Sequence, residues 1–309
     1  MTMLLQFLLL AIGFLMLVKG SDWFVEGSSG IAERFGIPQL VIGLTIVAMG
    51  TSAPEAAVSI NAALKGNNGI TVGNVVGSNI LNVLIILGIT AVIATIAVAR
   101  STVRYEIPYM IGITVLFLVL CVTGNEITFA EGIILWIFFL AYLGYLFYMA
   151  KKDRQEVNQE QKKEPVWKLL LLLLIGLVLI VWGSDVTVDA ACRLAEMFGV
   201  SERFIGLTIV ALGTSLPELF TSVTAAIKGK ADIVIGNIVG SNIFNILFIV
   251  GTAALITPVS FDPDFTADVI VAIAAGVLLL VCVAGKKQLR RPTGILMLAA
   301  YAAYFIYLL

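Results

Sequence analysis

Apolar runs of about twenty residues follow one another along the whole chain, separated by short polar stretches, which is the pattern of helices that cross a lipid bilayer. The runs predict ten spans at 3–34, 38–64, 70–98, 105–123, 129–149, 167–198, 202–227, 233–256, 265–283 and 293–309. The second is interrupted near 51–54, where Gly50 and Pro54 both disfavour a straight helix. One long polar stretch, KKDRQEVNQEQKKE at 151–164, breaks the series and reads as a solvated connector. The chain is thus expected to comprise a first five-span repeat at 1–150, a linker at 151–165 and a second five-span repeat at 166–309. The first run, 3–18, has neither a basic leading segment nor a small-residue cleavage site and is expected to be a retained helix.

The two halves share more than hydropathy. Residues 43–88 match residues 206–251 at a constant offset of 163 without a gap, with 28 of 46 positions identical. The shared positions centre on Gly-Thr-Ser-x-Pro-Glu and on Gly-Asn-x-Val-Gly-Ser-Asn-Ile-x-Asn. Each copy therefore sets one carboxylate, Glu55 or Glu218, in an otherwise uncharged apolar run. A carboxylate within a span is costly and points to function by default. Two at equivalent places in a duplicated chain suggest one site built from two halves.

Composition narrows the class. Of 309 residues 60% are hydrophobic and 13% charged, too few charges for the surface of a soluble protein this size. The net charge of −1 gives no reason to expect a nucleic-acid partner. There is no histidine, and the three cysteines form no CxxC, so neither a zinc site nor a disulfide framework is readable. An enzyme would need a nucleophile with a base or a metal-hydrolase cluster, and nothing of the kind accompanies the glutamates. No cofactor is expected.

Charge also sets the orientation. With the linker placed inside, Arg34, Arg100, Arg104, Lys228, Lys230, Lys286, Lys287, Arg290 and Arg291 also fall inside. Only Lys65, Arg193 and Arg203 fall outside. Five spans per repeat turn the second copy upside down, which places both termini outside and the linker in the cytoplasm. The expected fold is all-α, an inverted 5+5 repeat in the cell membrane, with the second and seventh spans broken.

The candidate site follows from these elements. Thr51, Ser52 and Glu55 share a helix face, and Thr214, Ser215 and Glu218 repeat them. The break at Pro54 is expected to free backbone carbonyls, those of Ala48 and Thr51 among them. Asn74, Ser78 and Asn82 form a polar stripe, repeated as Asn237, Ser241 and Asn245. Gly73, Gly77, Gly236 and Gly240 would let neighbouring helices approach closely. Carboxylates, amides, hydroxyls and carbonyls are hard oxygen donors, suited to calcium or sodium rather than zinc or copper. Asp22, Glu26, Asp185 and Asp189 are weaker candidates, placed near an interface or an aqueous entry path.

At these residues the sequence resembles the sodium/calcium exchanger branch of the calcium/cation antiporter superfamily, in its prokaryotic form. Gly50 to Glu55 and Gly213 to Glu218 match its GTSxPE core, and Gly73 to Asn82 and Gly236 to Asn245 match its second core. The resemblance implies four cation sites in a diamond where the second, third, seventh and eighth spans meet. It implies as ligands Thr51, Ser52, Glu55, Ser78, Asn82, Thr214, Ser215, Glu218, Ser241 and Asn245, with the carbonyls of Ala48 and Ala211. It also implies that the first and sixth spans slide across a static core. Many family members carry Asp where this chain has Asn245, so the counter-ion stoichiometry stays open.

The resemblance implies antiport of Ca2+ against Na+, in a chain functional as a monomer with ions and membrane lipid as its partners. Exchange of Ca2+ or another cation for H+ is the alternative, since the glutamates could carry protons. A channel is disfavoured, because inverted repeats with broken helices and a midplane site suit alternating access.

Overall fold

The computed structural model describes residues 3–65, 68–153, 164–199 and 211–308. Most of the expected linker and the start of the expected seventh span, with Arg203, lie outside them. The described chain forms eleven principal helices. They are α1 (Met3–Phe35), α2 (Gln39–Thr51), α3 (Ala53–Leu64), α4 (Ile70–Ile93), α5 (Thr102–Gly124), α6 (Phe129–Lys152), α7 (Val166–Met197), α8 (Leu216–Ile227), α9 (Ala231–Ile256), α10 (Phe265–Ala284) and α11 (Arg291–Leu308). Seven of these, α1, α4 to α7, α9 and α10, are long and apolar enough to cross a membrane. The pair α2 and α3 makes an eighth if taken as one span, bent by 50° where they meet.

Local chemistry explains the boundaries. The bend falls at Ser52, just before α3, whose first turn carries Pro54; proline lacks the amide that would continue the helix ladder. The same arrangement starts α8 at Ser215, with Pro217 in the first turn. At the start of α6 the Thr128 hydroxyl accepts from the Glu131 amide while the Glu131 carboxylate accepts from the Thr128 amide, a reciprocal cap.

The termini of α4 and α5 differ from expectation. Helix α4 stops at Ile93 rather than near residue 98, because Ala94 turns extended and Ile96–Ala97 becomes a strand, β1. Helix α5 begins at Thr102, three residues early, with a π-helical turn. The fold is all-helical, as expected, apart from two antiparallel ladders of two residues each between loops. One joins β1 to β4 (Gln288–Leu289), the other β2 (Glu126–Ile127) to β3 (Val259–Ser260). Just before β2 and β4 the backbone turns left-handed at Asn125 and Lys287. Their carbonyls accept from the amides of Phe261 and Val98, so each inter-helix loop satisfies its polar backbone on a loop of the other repeat.

The helices sort into a buried centre and a rim. Helix α9 is buried along almost its whole length and α4 along most of it, whereas α1, α5, α6, α7 and α10 expose most of theirs. Close approach of α2 to α9 is what the glycines allow. A Cβ on Gly236 would lie 2.8 Å from the Gly43 Cα, and one on Gly240 2.7 Å from the Ala48 side chain. At Gly73 the nearest neighbour among the described residues is the Phe265 ring at 3.4 Å, and Gly77 has none within 4 Å.

Helices α1 and α7 stand apart from this core as the longest pair, 33 and 32 residues. Each is about 50 Å long, well beyond the ~30 Å hydrocarbon layer. They run antiparallel in backbone contact. A Cβ on Gly20 would meet the Gly176 carbonyl at 2.9 Å, one on Gly27 the Leu169 carbonyl at 2.7 Å, and one on Gly183 the Gly13 carbonyl at 3.0 Å. Gly13, Gly20 and Gly27 recur every seven residues, so they share one face. Along α1, Lys228 pairs with Asp22 at 2.6 Å and Lys230 with Glu33 at 2.8 Å, which gives Asp22 a structural partner.

Candidate cation site

Helices α3 and α8 carry Glu55 and Glu218 into the centre, where each is about 1% exposed. Neither forms an ion pair among the described residues. Their oxygens are held by hydroxyls instead, largely from the opposite repeat. Ser52 donates to Glu218 Oε1 at 2.8 Å, and Ser241 approaches the same oxygen at 3.5 Å. Ser215 and Ser78 approach Glu55 Oε1, each at 3.5 Å. Thr214, partly exposed, also lies within hydrogen-bonding reach of Glu55, as Thr51 does of Glu218.

Behind each glutamate an asparagine pins the helix. Asn74 donates to the Glu55 carbonyl at 3.2 Å and to Ser59 at 2.9 Å. Asn237 donates to Ser222 at 3.0 Å and to the Glu218 carbonyl at 3.5 Å. These two members of the predicted stripe therefore brace the backbone. The Thr51 hydroxyl has a single proton and lies 3.0 Å from Asn237 Oδ1 and 3.1 Å from the Val47 carbonyl. Its remaining lone-pair capacity is available to a cation.

The Ala48 carbonyl is not freed by the break, as the sequence suggested. It accepts from the Ser52 amide at 3.0 Å and from the Ser241 hydroxyl at 3.3 Å. Pro54 has no amide to give the Gly50 carbonyl four residues back. Ala211 opens the short helical turn Ala211–Gly213.

The fourth pair, Asn82 and Asn245, begins the π-helical turns Asn82–Ile86 and Asn245–Val250. A π turn is wider than an α turn and is frequent at functional sites. Each amide is fixed by its nitrogen: Asn82 Nδ2 donates to Asn242 Oδ1 at 2.9 Å, and Asn245 Nδ2 donates to Asn79 Oδ1 at 3.0 Å. Asn79 and Asn242 escaped the sequence reading. They sit in the repeated Gly-Ser-Asn motif, and that repetition was the available signal. Glu106, another buried carboxylate it passed over, is bonded to the Tyr145 hydroxyl rather than to any of these residues.

Four acceptor oxygens are left without a hydrogen-bond partner in this centre: Glu55 Oε2, Glu218 Oε2, Asn82 Oδ1 and Asn245 Oδ1. They form two repeat-related pairs. Leaving such groups buried and unmatched costs about 1–3 kcal/mol each, and more for a carboxylate. Oxygens of this kind are satisfied by a hard cation, and no His or Cys stands among them.

Comparison with known proteins agrees with this chemistry. The family model described as sodium/calcium exchanger protein matches residues 5–148 and 168–309. The sodium/calcium exchanger MaX1 of Methanosarcina acetivorans is 33% identical over 98% of both chains. The Ca2+/H+ antiporter ChaA of Bacillus subtilis is 24% identical over 81% of this chain and 78% of its own. A solved structure of the sodium-calcium exchanger NCX_Mj, soaked with zero Na+ and Ca2+, superposes over 100% of both chains with a TM-score of 0.87 at 32% identity.

Proposed function

The chain belongs to the sodium/calcium exchanger family of multi-pass membrane antiporters, and from that premise we propose that it moves Ca2+ in exchange for Na+ by alternating access to the central oxygen cluster. The observation that carries this reading is the set of four orphaned oxygens, two of them carboxylate. Two ionised glutamates and two neutral asparagines give a formal charge of −2, balanced by one calcium or two sodium ions. The ligands would be Glu55, Glu218, Asn82 and Asn245, with the hydroxyls of Thr51, Ser52, Ser78, Thr214, Ser215 and Ser241 and the carbonyl of Ala211.

The architecture we infer is ten spans in an inverted 5+5 repeat, with α2 and α3 as one broken span and α8 as part of its counterpart. The two small sheets support it. In an inverted ten-span chain the loops carrying β1 and β4 both lie on the linker side, and those carrying β2 and β3 both lie on the side of the termini. Loops can pair only if they share a face, and these do. Orientation with the linker cytoplasmic and both termini outside rests on the distribution of Lys and Arg.

Proton coupling is the second reading, favoured by two buried carboxylates and by the similarity to ChaA. Sodium is preferred because the match to MaX1 is both closer and more complete. The test is uptake of radioactive calcium by proteoliposomes holding the purified protein, with an outward sodium gradient or a proton gradient imposed in turn. Sodium-driven uptake that persists when protons are equilibrated is expected. Uptake driven by the proton gradient alone would replace sodium with H+ and leave antiport standing.

A further inference from the structure

We propose that Asn79 and Asn242 are positioning residues that aim the Asn82 and Asn245 carbonyl oxygens into the cation site, and so set its preference for calcium over larger ions. The inference rests on the exchange reading of that site. Four side chains and two backbone carbonyls form a closed handshake between α4 and α9. Asn79 Nδ2 donates to the Asn242 carbonyl at 3.2 Å, and Asn242 Nδ2 donates to the Asn79 carbonyl at 3.1 Å. With both nitrogens committed, each side-chain oxygen faces outward as an acceptor and takes the Nδ2 of the other repeat's ligand asparagine.

The consequence is directional. An amide has one donor end and one acceptor end. Because Asn242 Oδ1 takes the nitrogen of Asn82, the Asn82 oxygen must point the other way, and the same holds for Asn79 and Asn245. Those two outward oxygens are the ones left without a partner. All four residues are at most 4% exposed, so water does not compete for these bonds. The ligand of one repeat is thus aimed by a residue of the other, across 160 and 166 residues of chain.

Were Asn242 replaced, Asn82 would turn freely and could present its nitrogen, which repels a cation. Where site selectivity depends on cavity size and on how firmly the donors are held, a loosened donor hurts the smaller ion most. The experiment measures calcium and strontium exchange in proteoliposomes for Asn242→Ala, Asn82→Ala and the double variant, and for the mirror set Asn79→Ala and Asn245→Ala.

For Asn242→Ala the apparent KM for calcium is expected to rise roughly tenfold, that for strontium less, with the maximal rate largely kept. The double variant Asn242→Ala/Asn82→Ala is expected to be no worse than Asn82→Ala alone. Asn242→Ser, whose short hydroxyl does not reach Asn82, serves by the same criteria if the alanine variant does not fold. The proposal is overturned if the Asn242 and Asn79 variants keep the wild-type calcium-to-strontium ratio, or if their losses add in full to those of Asn82→Ala and Asn245→Ala. If Asn82→Ala and Asn245→Ala are themselves silent, it is the placement of the cation site that fails.

Discussion

Ser52 donates its hydroxyl to the carboxylate of Glu218 at 2.8 Å, across 166 residues of chain and from the opposite repeat. Ser215, the repeat counterpart of Ser52, approaches Glu55 at 3.5 Å. Each glutamate is therefore completed by the half of the protein it does not belong to, and neither half makes the site alone.

Glu55→Gln and Glu218→Gln keep the size of the side chain and remove its charge. Breaking a buried charge arrangement costs about 3–5 kcal/mol, which corresponds to about two to four orders of magnitude in affinity. Each variant is expected to elute as a folded monodisperse protein and to lose sodium-driven calcium uptake to background. Uptake at the wild-type rate by either one would rule out a two-carboxylate site.

Asn245→Asp tests charge balance. Asn79 Oδ1 accepts from Asn245 Nδ2, while the Asn79 nitrogen is committed to the Asn242 carbonyl. An aspartate would set oxygen against oxygen, and the contact survives only if the carboxyl carries a proton. The variant is therefore expected to keep the wild-type number of sodium ions per calcium, read as the reversal potential of calcium flux at set gradients. A reversal potential shifted toward a higher sodium count would show that the carboxyl ionises and the handshake yields.

The sheets supply a topology test. Paired residues in an antiparallel ladder have Cα atoms about 4.5–5.5 Å apart, within disulfide range. With Cys121, Cys192 and Cys282 replaced, Ala97→Cys with Gln288→Cys and, separately, Glu126→Cys with Ser260→Cys are expected to cross-link on oxidation. Before oxidation, an impermeant thiol reagent is expected to reach the two pairs from opposite faces of the membrane. Labelling of both pairs from one face would contradict the inverted ten-span arrangement.

Gly176→Ala probes the contact between α1 and α7. The added Cβ would lie 2.5 Å from the Phe24 nitrogen and 2.8 Å from the Gly20 carbonyl, both backbone atoms that cannot turn aside. Overpacking of this kind costs about 1–3 kcal/mol. A lower thermal midpoint in detergent and slower exchange are expected. Gly144→Ala, with no described atom within 4 Å, is expected to change neither, and equal behaviour of the two variants would refute the seam.

What the sequence revealed follows from the physics of lipid. Glu55 and Glu218 stand out because a charge in an apolar run is costly, and the repeat stands out because its polar positions recur at one offset. Asn79 and Asn242 stayed hidden because an asparagine in a glycine-rich stretch reads as packing until its partner, 163 residues away, is known. The π turns at Asn82 and Asn245 and the two-residue sheets depend on tertiary pairing and have no local signature. The expected loosening of the helix at Pro54 does not reach the Ala48 carbonyl. Pro54 deprives Gly50 of a donor, whereas Ser52 still has an amide to give Ala48.

The glycine seam constrains what can move. Helices that meet backbone to backbone at three successive levels, in opposite directions, have no side-chain cushion on which to creep past one another. Any force that displaces α1 is handed to α7 over much of their length. On the exchange reading, access from either face would then be set by one moving body rather than by two.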